Sequence, residues 1–254
     1  GEVVREYLVA QGFHLHFGDG FDEVRGGERM EGVVIKGELT PCDVAVMAVG
    51  NRANTDLAKT IGVECSGKGI VTDTGMRTSV DGVFAVGDCV QTVDFFKKEP
   101  HTMWLATSAY KQGQVAGVNA AGGEAEYDGA LDTLVTHVGG LEVAACGLTT
   151  AQAKEAGFDP MNGKAKSLTK PHYMPGSGDI TVKVIADRAT GRVLGGQAFG
   201  DAGAAWRVNL IGLAIKGGMH VRALANAELA YTPPVSETYD VLHMASEFAL
   251  RRLK

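Results

Sequence analysis

The chain has 254 residues, 45% hydrophobic and 21% charged, an ordinary globular composition that excludes a disordered chain and leaves room for one or two domains. Its 24 Lys and Arg against 30 Asp and Glu give a formal net charge of −6, and the basic residues form no stripe, so nucleic acid and anionic membrane are disfavoured as partners. No apolar run approaches the roughly 18 residues of a membrane span, and "GEVVREYLVAQG" has no signal-peptide architecture, so the expected location is the cytoplasm.

The first segment is an amphipathic helix carrying Val4, Tyr7 and Leu8, stopped by Gly12, and an alternating strand through Phe13, Leu15 and Phe17 should follow. Short β segments around 31 to 39 read as a hairpin-like insertion. They lead to "CDVAVMAVG", residues 42 to 50, a continuous apolar run of strand length that breaks at Gly50 and suits a strand buried on both faces. Cys42, Cys65, Cys89 and Cys146 lie far apart with no C-x-x-C pair, which removes the usual signatures of zinc and of a local dithiol and leaves small buried hydrophobes.

A second aliphatic run, "TSVDGVFAVGDCVQ" at 78 to 91, breaks at Gly87 and is followed by Asp88. In a buried parallel strand that aspartate stands at the carboxyl edge, where open α/β sheets bind ligands; taken alone, Gly-Asp favours the plainer reading, a cap on the next segment or an Asx-turn. "HTMWLATSAYKQGQVAGVNAAGG", residues 101 to 123, predicts a helix starting near Thr102. Ala106, Ala109, Gly113, Ala116 and Gly117 form a narrow seam that lets it approach a sheet or ligand closely.

Residues 120 to 130 read as a linker, after which the pattern changes. A strand or two should occupy "LDTLVTHVGGLEVAACG", and "LTTAQAKEAG" a short helix with a Thr149–Gln152 capping box and Gly157 as its stop. Ile180, Val182 and Val184 alternate, 187 to 191 turns and Val193 resumes, a hairpin; helices then fill 203 to 217, 221 to 228 and 236 to 253. The fold expected is an α/β nucleotide-binding remnant followed by a separate α+β domain, with divisions at 1–58, 59–123 and 131–254.

The paired strands with glycine ends resemble the late motifs of the flavoproteins that carry two dinucleotide-binding domains, the pyridine nucleotide-disulfide oxidoreductases. There a strand ending in Gly-x-Arg-Pro-Asn closes the NAD(P)H domain and one ending in Gly-Asp returns to the FAD domain. This sequence keeps Gly50, Arg52 and Asn54 but has Ala53 where the family commonly has proline. "HYMPG" at 172 to 176, "TGRVLGGQAFG" at 190 to 200, "WRVNLIGLAIKGGM" at 206 to 219 and "LAYTPPVSETYD" at 229 to 240 resemble the family's dimerisation domain. They are most similar to the branch of coenzyme A disulfide reductases, NADH oxidases and NADH peroxidases. The resemblance implies that Gly87 and Asp88 meet the ribityl and pyrophosphate region of FAD, and that the helix N-terminus at Leu105 and Ala106 faces the flavin ring. It also implies that residues 1–58 and 59–123 are parts of NAD(P)H and FAD domains, and that residues 131–254 form a homodimer.

Where glutathione reductase-like members place a catalytic histidine before Pro-Thr, this chain has Tyr231-Thr232-Pro233-Pro234. The resemblance makes Tyr231 the candidate catalytic residue. A phenol, with an ordinary pKa of about 10, donates a hydrogen bond at neutral pH rather than shuttling a proton, which suits a thiolate or sulfenate acceptor; the plainer alternative is a tyrosine packed on two prolines. No glycine fingerprint for FAD or for NAD(P)H and no redox cysteine is visible. The chain therefore reads as the C-terminal portion of a longer enzyme that carries electrons from NAD(P)H through FAD to a disulfide, CoA-disulfide, peroxide or oxygen, and as inactive alone. A non-catalytic dimerisation module, a small flavin-binding protein and a ferredoxin-reductase-like branch are the alternatives, the last disfavoured by the Tyr-x-Pro-Pro segment.

Overall fold

Gly12 ends the first helix. It takes φ +88°, a left-handed conformation that costs glycine little, and the Phe13 amide closes α1 (Glu2–Ala10) on the Leu8 carbonyl. The computed structural model describes residues 1–18 and 20–253, which fall into two bodies, Gly1–Asn51 and Arg52–Lys254. Lys254, the end of the last expected domain, lies outside the described residues.

In the first body α1 half-buries Val4, Tyr7 and Leu8, the three expected positions. The hairpin-like insertion is an antiparallel sheet of β1 (Glu23–Gly26), β2 (Met30–Ile35) and β3 (Glu38–Pro41), with β2 central. Lys36 and Gly37 are both left-handed, at φ 53° and 81°, as a two-residue I′ hairpin turn requires. Two expected strands do not form. Residues 13–17 and 42–50 carry the right residue patterns, but none of the described strands pairs with either, and a strand exists only where a neighbour takes up its N–H and C=O groups. The run expected to be buried is instead exposed, Val46 to 87%.

The second body opens with α2 (Asp56–Thr60). A four-stranded sheet follows, β4 (Cys65–Ser66), β5 (Gly69–Val71), β6 (Val90–Val93) and β7 (Pro100–His101), in that order. β5 and β6 are parallel, with Ile70 opposite Val90, and both residues join Val63 in a small core. The expected strand before Gly87 shrinks to one bridge between Arg77 and Phe84. Its polar start folds back on itself: Thr78 Oγ1 donates to the Val83 carbonyl at 2.9 Å and the Val83 amide to Val80 at 3.1 Å, so a turn consumes the ladder groups. α3 (Ala106–Ala120) begins four residues later than Thr102, because His101 is still paired with Thr92 in β7 and Leu105 is extended.

Residues 120–130 are less free than a linker: Tyr127 and Ala130 are buried, and Ala130 exchanges backbone hydrogen bonds with Val93 and Phe95. Beyond them β8 (Leu134–Val138), β9 (Leu141–Gly147), β10 (Pro160–Leu168), β11 (Asp179–Asp187) and β12 (Val193–Gly200) make an antiparallel sheet in the order β10-β11-β12-β9-β8. On β11, Ile180, Val182, Val184 and Ala186 face a core shared with α5 (Ala204–Lys216), α6 (Val221–Ala225) and α7 (Val241–Leu250), whereas Ile185 meets Ala153 of α4 (Thr150–Glu155). Period-two alternation thus buries the strand on both faces.

The capping box forms as expected, with the Gln152 amide donating to Thr149 Oγ1 and the Thr149 amide to Gln152 Oε1. Gly157 is left-handed at φ 84°, as a helix stop should be. The last helix starts at Val241 rather than 236 because Asp240 caps it, accepting the Leu242 amide at 2.8 Å, and α6 stops at Ala225 rather than 228. Of the cysteines, Cys146 is buried and the other three are half-buried, all free thiols. Burial pushes the Cys146 thiol up to about 12. Among the described residues no helix is long and apolar enough to cross a membrane.

Candidate cofactor-binding site

Asp88 stands in a single 3₁₀ turn, Gly87–Cys89, at the entry to β6. Gly87 takes φ 82°, which a side chain would resist, and its amide is held by Gln112 Oε1 at 2.8 Å. The Asp88 carbonyl accepts the indole N–H of Trp104 at 3.1 Å, so the turn is also tied to the segment that leads into α3. Asp88 itself is exposed, and among the described residues its carboxylate has no hydrogen-bond or ion-pair partner.

The N-terminus of α3 lies in the same region. Leu105 is its N-cap, extended at φ −122° and ψ 127°, and no side chain caps the first N–H groups. A 15-residue helix concentrates partial positive charge at such an end. The sequence thus brings Gly87, Asp88, Leu105 and Ala106 into one neighbourhood holding a free carboxylate, which can accept hydroxyl hydrogen bonds, and an open helix end, which can stabilise an anion. Gly50, left-handed at φ 108°, belongs to the first body and is exposed there.

Tyr231 lies in the loop between α6 and α7, 44% exposed, and its hydroxyl has no hydrogen bond among the described residues. The two prolines sit in a turn closed by the Val235 and Ser236 amides donating to the Thr232 carbonyl. At the loop's start His243 Nε2 meets the Ala227 carbonyl at 2.8 Å, and the ring stacks on Tyr239 at 6.0 Å. At its end Asp240 accepts Arg207 Nε and Nη2, with both side chains almost wholly enclosed. Removing either member of such a pair leaves an uncompensated buried charge, which typically costs about 3 to 5 kcal/mol. Sequence reasoning missed Arg207, Asp240 and Gln112. The only signal for Arg207 and Gln112 was a charged or amide residue inside an otherwise apolar or small-residue helix face, and for Asp240 an aspartate placed to cap the helix that follows.

One further pair joins the two halves of this body. His101 Nε2 of β7 meets both carboxylate oxygens of Asp132, at 3.1 and 2.9 Å, and Asp132 is held left-handed at φ 54° just before β8. The hydrogen bond to Asp132 raises the imidazole pKa above its ordinary 6.5, against the opposing effect of burial.

Residues 1–113 match the family described as pyridine nucleotide-disulphide oxidoreductase, and residues 134–243 match its dimerisation domain. A curated NADH oxidase of Methanocaldococcus jannaschii is 36% identical over 252 residues, 99% of this chain and 56% of that protein. A CoA-dependent NAD(P)H sulfur oxidoreductase of Pyrococcus furiosus is 35% identical over 95% of this chain and 54% of its own length. The solved NAD-dependent persulfide reductase of A. fulgidus superposes with a TM-score of 0.90 at 31% identity, over 98% of this chain and 47% of that one. The chain spans about half the length of the curated relatives it matches. With the two matched segments accounting for most of its residues, and the Gly-Asp turn, the start of the helix after it and the Tyr-Thr-Pro-Pro loop all falling within them, the chain belongs to the pyridine nucleotide-disulphide oxidoreductase family.

Proposed function

We propose that this chain supplies the C-terminal portion of an FAD- and NAD(P)H-dependent oxidoreductase whose acceptor is a disulfide, CoA-disulfide, peroxide or oxygen. The observation that carries the reading is the unpartnered Asp88 carboxylate beside the uncapped end of α3. This donor and acceptor set fits a flavin nucleotide, with polyol hydroxyls for the carboxylate and a ring that becomes negative on reduction for the helix end. When bound, FAD would supply the hydride and electron chemistry that side chains lack.

The residues do the rest. Asp88 orients the ribityl chain, Gly87 leaves its approach clear of a side chain, and Leu105 and Ala106 present backbone N–H groups to the ring. Gly50 ends the NAD(P)H-binding part. Tyr231 donates its O–H to the sulfur of the acceptor, in a twofold homodimer built on residues 131–254. The names of the sulfur and persulfide relatives favour a thiol-derived acceptor. The match to a dimerisation domain supports the dimer.

Asp88→Asn in the full-length flavoprotein tests the reading. A hydrogen bond to a charged group contributes about 1.5 to 3 kcal/mol, so FAD affinity is expected to fall roughly ten- to a hundredfold in a fluorescence titration. Unchanged affinity would overturn the assignment of Asp88.

A further inference from the structure

Gln112 lies seven positions into α3 and is 2% exposed, with both ends of its amide occupied. Oε1 accepts the Gly87 N–H at 2.8 Å, and Nε2 donates to Thr92 Oγ1 at 3.1 Å. The orientation is forced, because only an amide oxygen can accept from a backbone N–H. Thr92, itself 2% exposed on β6, faces the Tyr127 phenol, which also faces Ser108 in the first turn of α3. One face of the helix repeats the device: Asn119, seven residues on, donates to the Gly75 and Ala125 carbonyls and accepts the Ala125 amide.

These contacts join the elements that form the candidate site. Gly87 has no side chain by which its turn could be fixed, so the turn is held through main-chain groups, the Asp88 carbonyl by Trp104 from the segment before α3 and the Gly87 N–H by Gln112 from within the helix. The same residue, through Thr92, is anchored to β6. Every member of the set is buried or half-buried and, among the described residues, none of the buried polar side-chain atoms is left without a partner, the condition under which a polar network specifies one geometry.

We propose that Gln112 is a positioning residue for the flavin site, setting the Gly87–Asp88 turn and the N-terminus of α3 in a single relative geometry. The inference rests on the flavin reading above. Without Gln112 the Gly87 amide loses its acceptor, the turn samples other orientations, and the Asp88 carboxylate spends only part of its time where the ribityl hydroxyls need it.

The test uses the full-length flavoprotein with Q112L and T92V, the second keeping the Gln112–Gly87 bond while removing the far anchor. FAD affinity, the visible circular dichroism of the bound flavin and the melting temperature are measured for each. Q112L is expected to weaken FAD binding roughly tenfold or more and to change the visible dichroism. T92V should move both in the same direction by less. A merely structural role would lower the melting temperature while leaving the flavin signals of the folded protein unchanged, and that result in both variants overturns the inference. If Q112L fails to fold, T92V decides on the same signals. Wild-type protein that retains no FAD would defeat the flavin reading and this inference together, whereas wild-type FAD binding matched by both variants defeats this inference alone.

Discussion

Tyr231 separates chemistry from packing at the level of one oxygen atom. Its hydroxyl is unengaged and its ring half-exposed, so Tyr231→Phe changes little in this chain's own contacts. In the full-length enzyme Y231F is expected to slow reduction of a thiol-derived acceptor roughly ten- to a hundredfold, the effect of one hydrogen bond to a charged sulfur, and to leave flavin reduction by NAD(P)H intact. Stopped-flow measurement of the two half-reactions checks this, and an equal oxidative half-reaction would return the residue to a packing role. His101 gives a second test at this scale. Its folded pKa is raised by Asp132, so the stability it contributes is complete below 6.5 and is lost as pH rises above that value through the raised one. Urea midpoints taken on both sides of that window should fall with rising pH in the wild type and fall less in His101→Gln.

Glycine sets how closely elements approach. A Cβ at Gly163 on β10 would stand 2.0 Å from the Ala245 carbonyl oxygen and 2.3 Å from the Ala249 nitrogen, so the backbone of α7 rests directly on the strand. Gly163→Ala must push the helix away, and overpacking of this kind costs about 1 to 3 kcal/mol, readable as a lower denaturation midpoint. The sequence made much of the fold from β8 onward legible, because local signals decide there: alternation along Ile180–Val184, the Thr149–Gln152 box and the glycine at 157 all act within a few residues. It failed at 42–50 and before Gly87. An apolar run states that a strand is possible, but whether a neighbour pairs with it is not written in the run itself. The same distinction governs the site. The motifs single out Asp88 and Tyr231 as the proposed site residues, whereas Gln112 meets Gly87 across 25 residues and Arg207 meets Asp240 across 33, pairings that no local pattern announces.

At the scale of the whole molecule, the segment that matches a dimerisation domain begins at an edge strand of the five-stranded sheet, β8. β8 ends the sheet with four of its five residues exposed, among them Leu134 and Val135. An edge of this kind needs either charge or cover, and a twofold partner is the commonest cover. Light scattering at micromolar concentration is expected to give the mass of two chains, and a monomer throughout would argue against residues 131–254 as a self-sufficient interface.

The exposed run at 42–50 has a consequence for handling the protein. Val44, Val46, Met47 and Val49 project from backbone with no strand beside it among the described residues, and after Asp43 the segment carries neither charge nor proline until Arg52. Short stretches with those properties stack with identical copies into cross-β fibrils. When this chain is made by itself, the segment is therefore the place where precipitation should start, and its rate should rise steeply with concentration even while the rest of the molecule keeps its native fold.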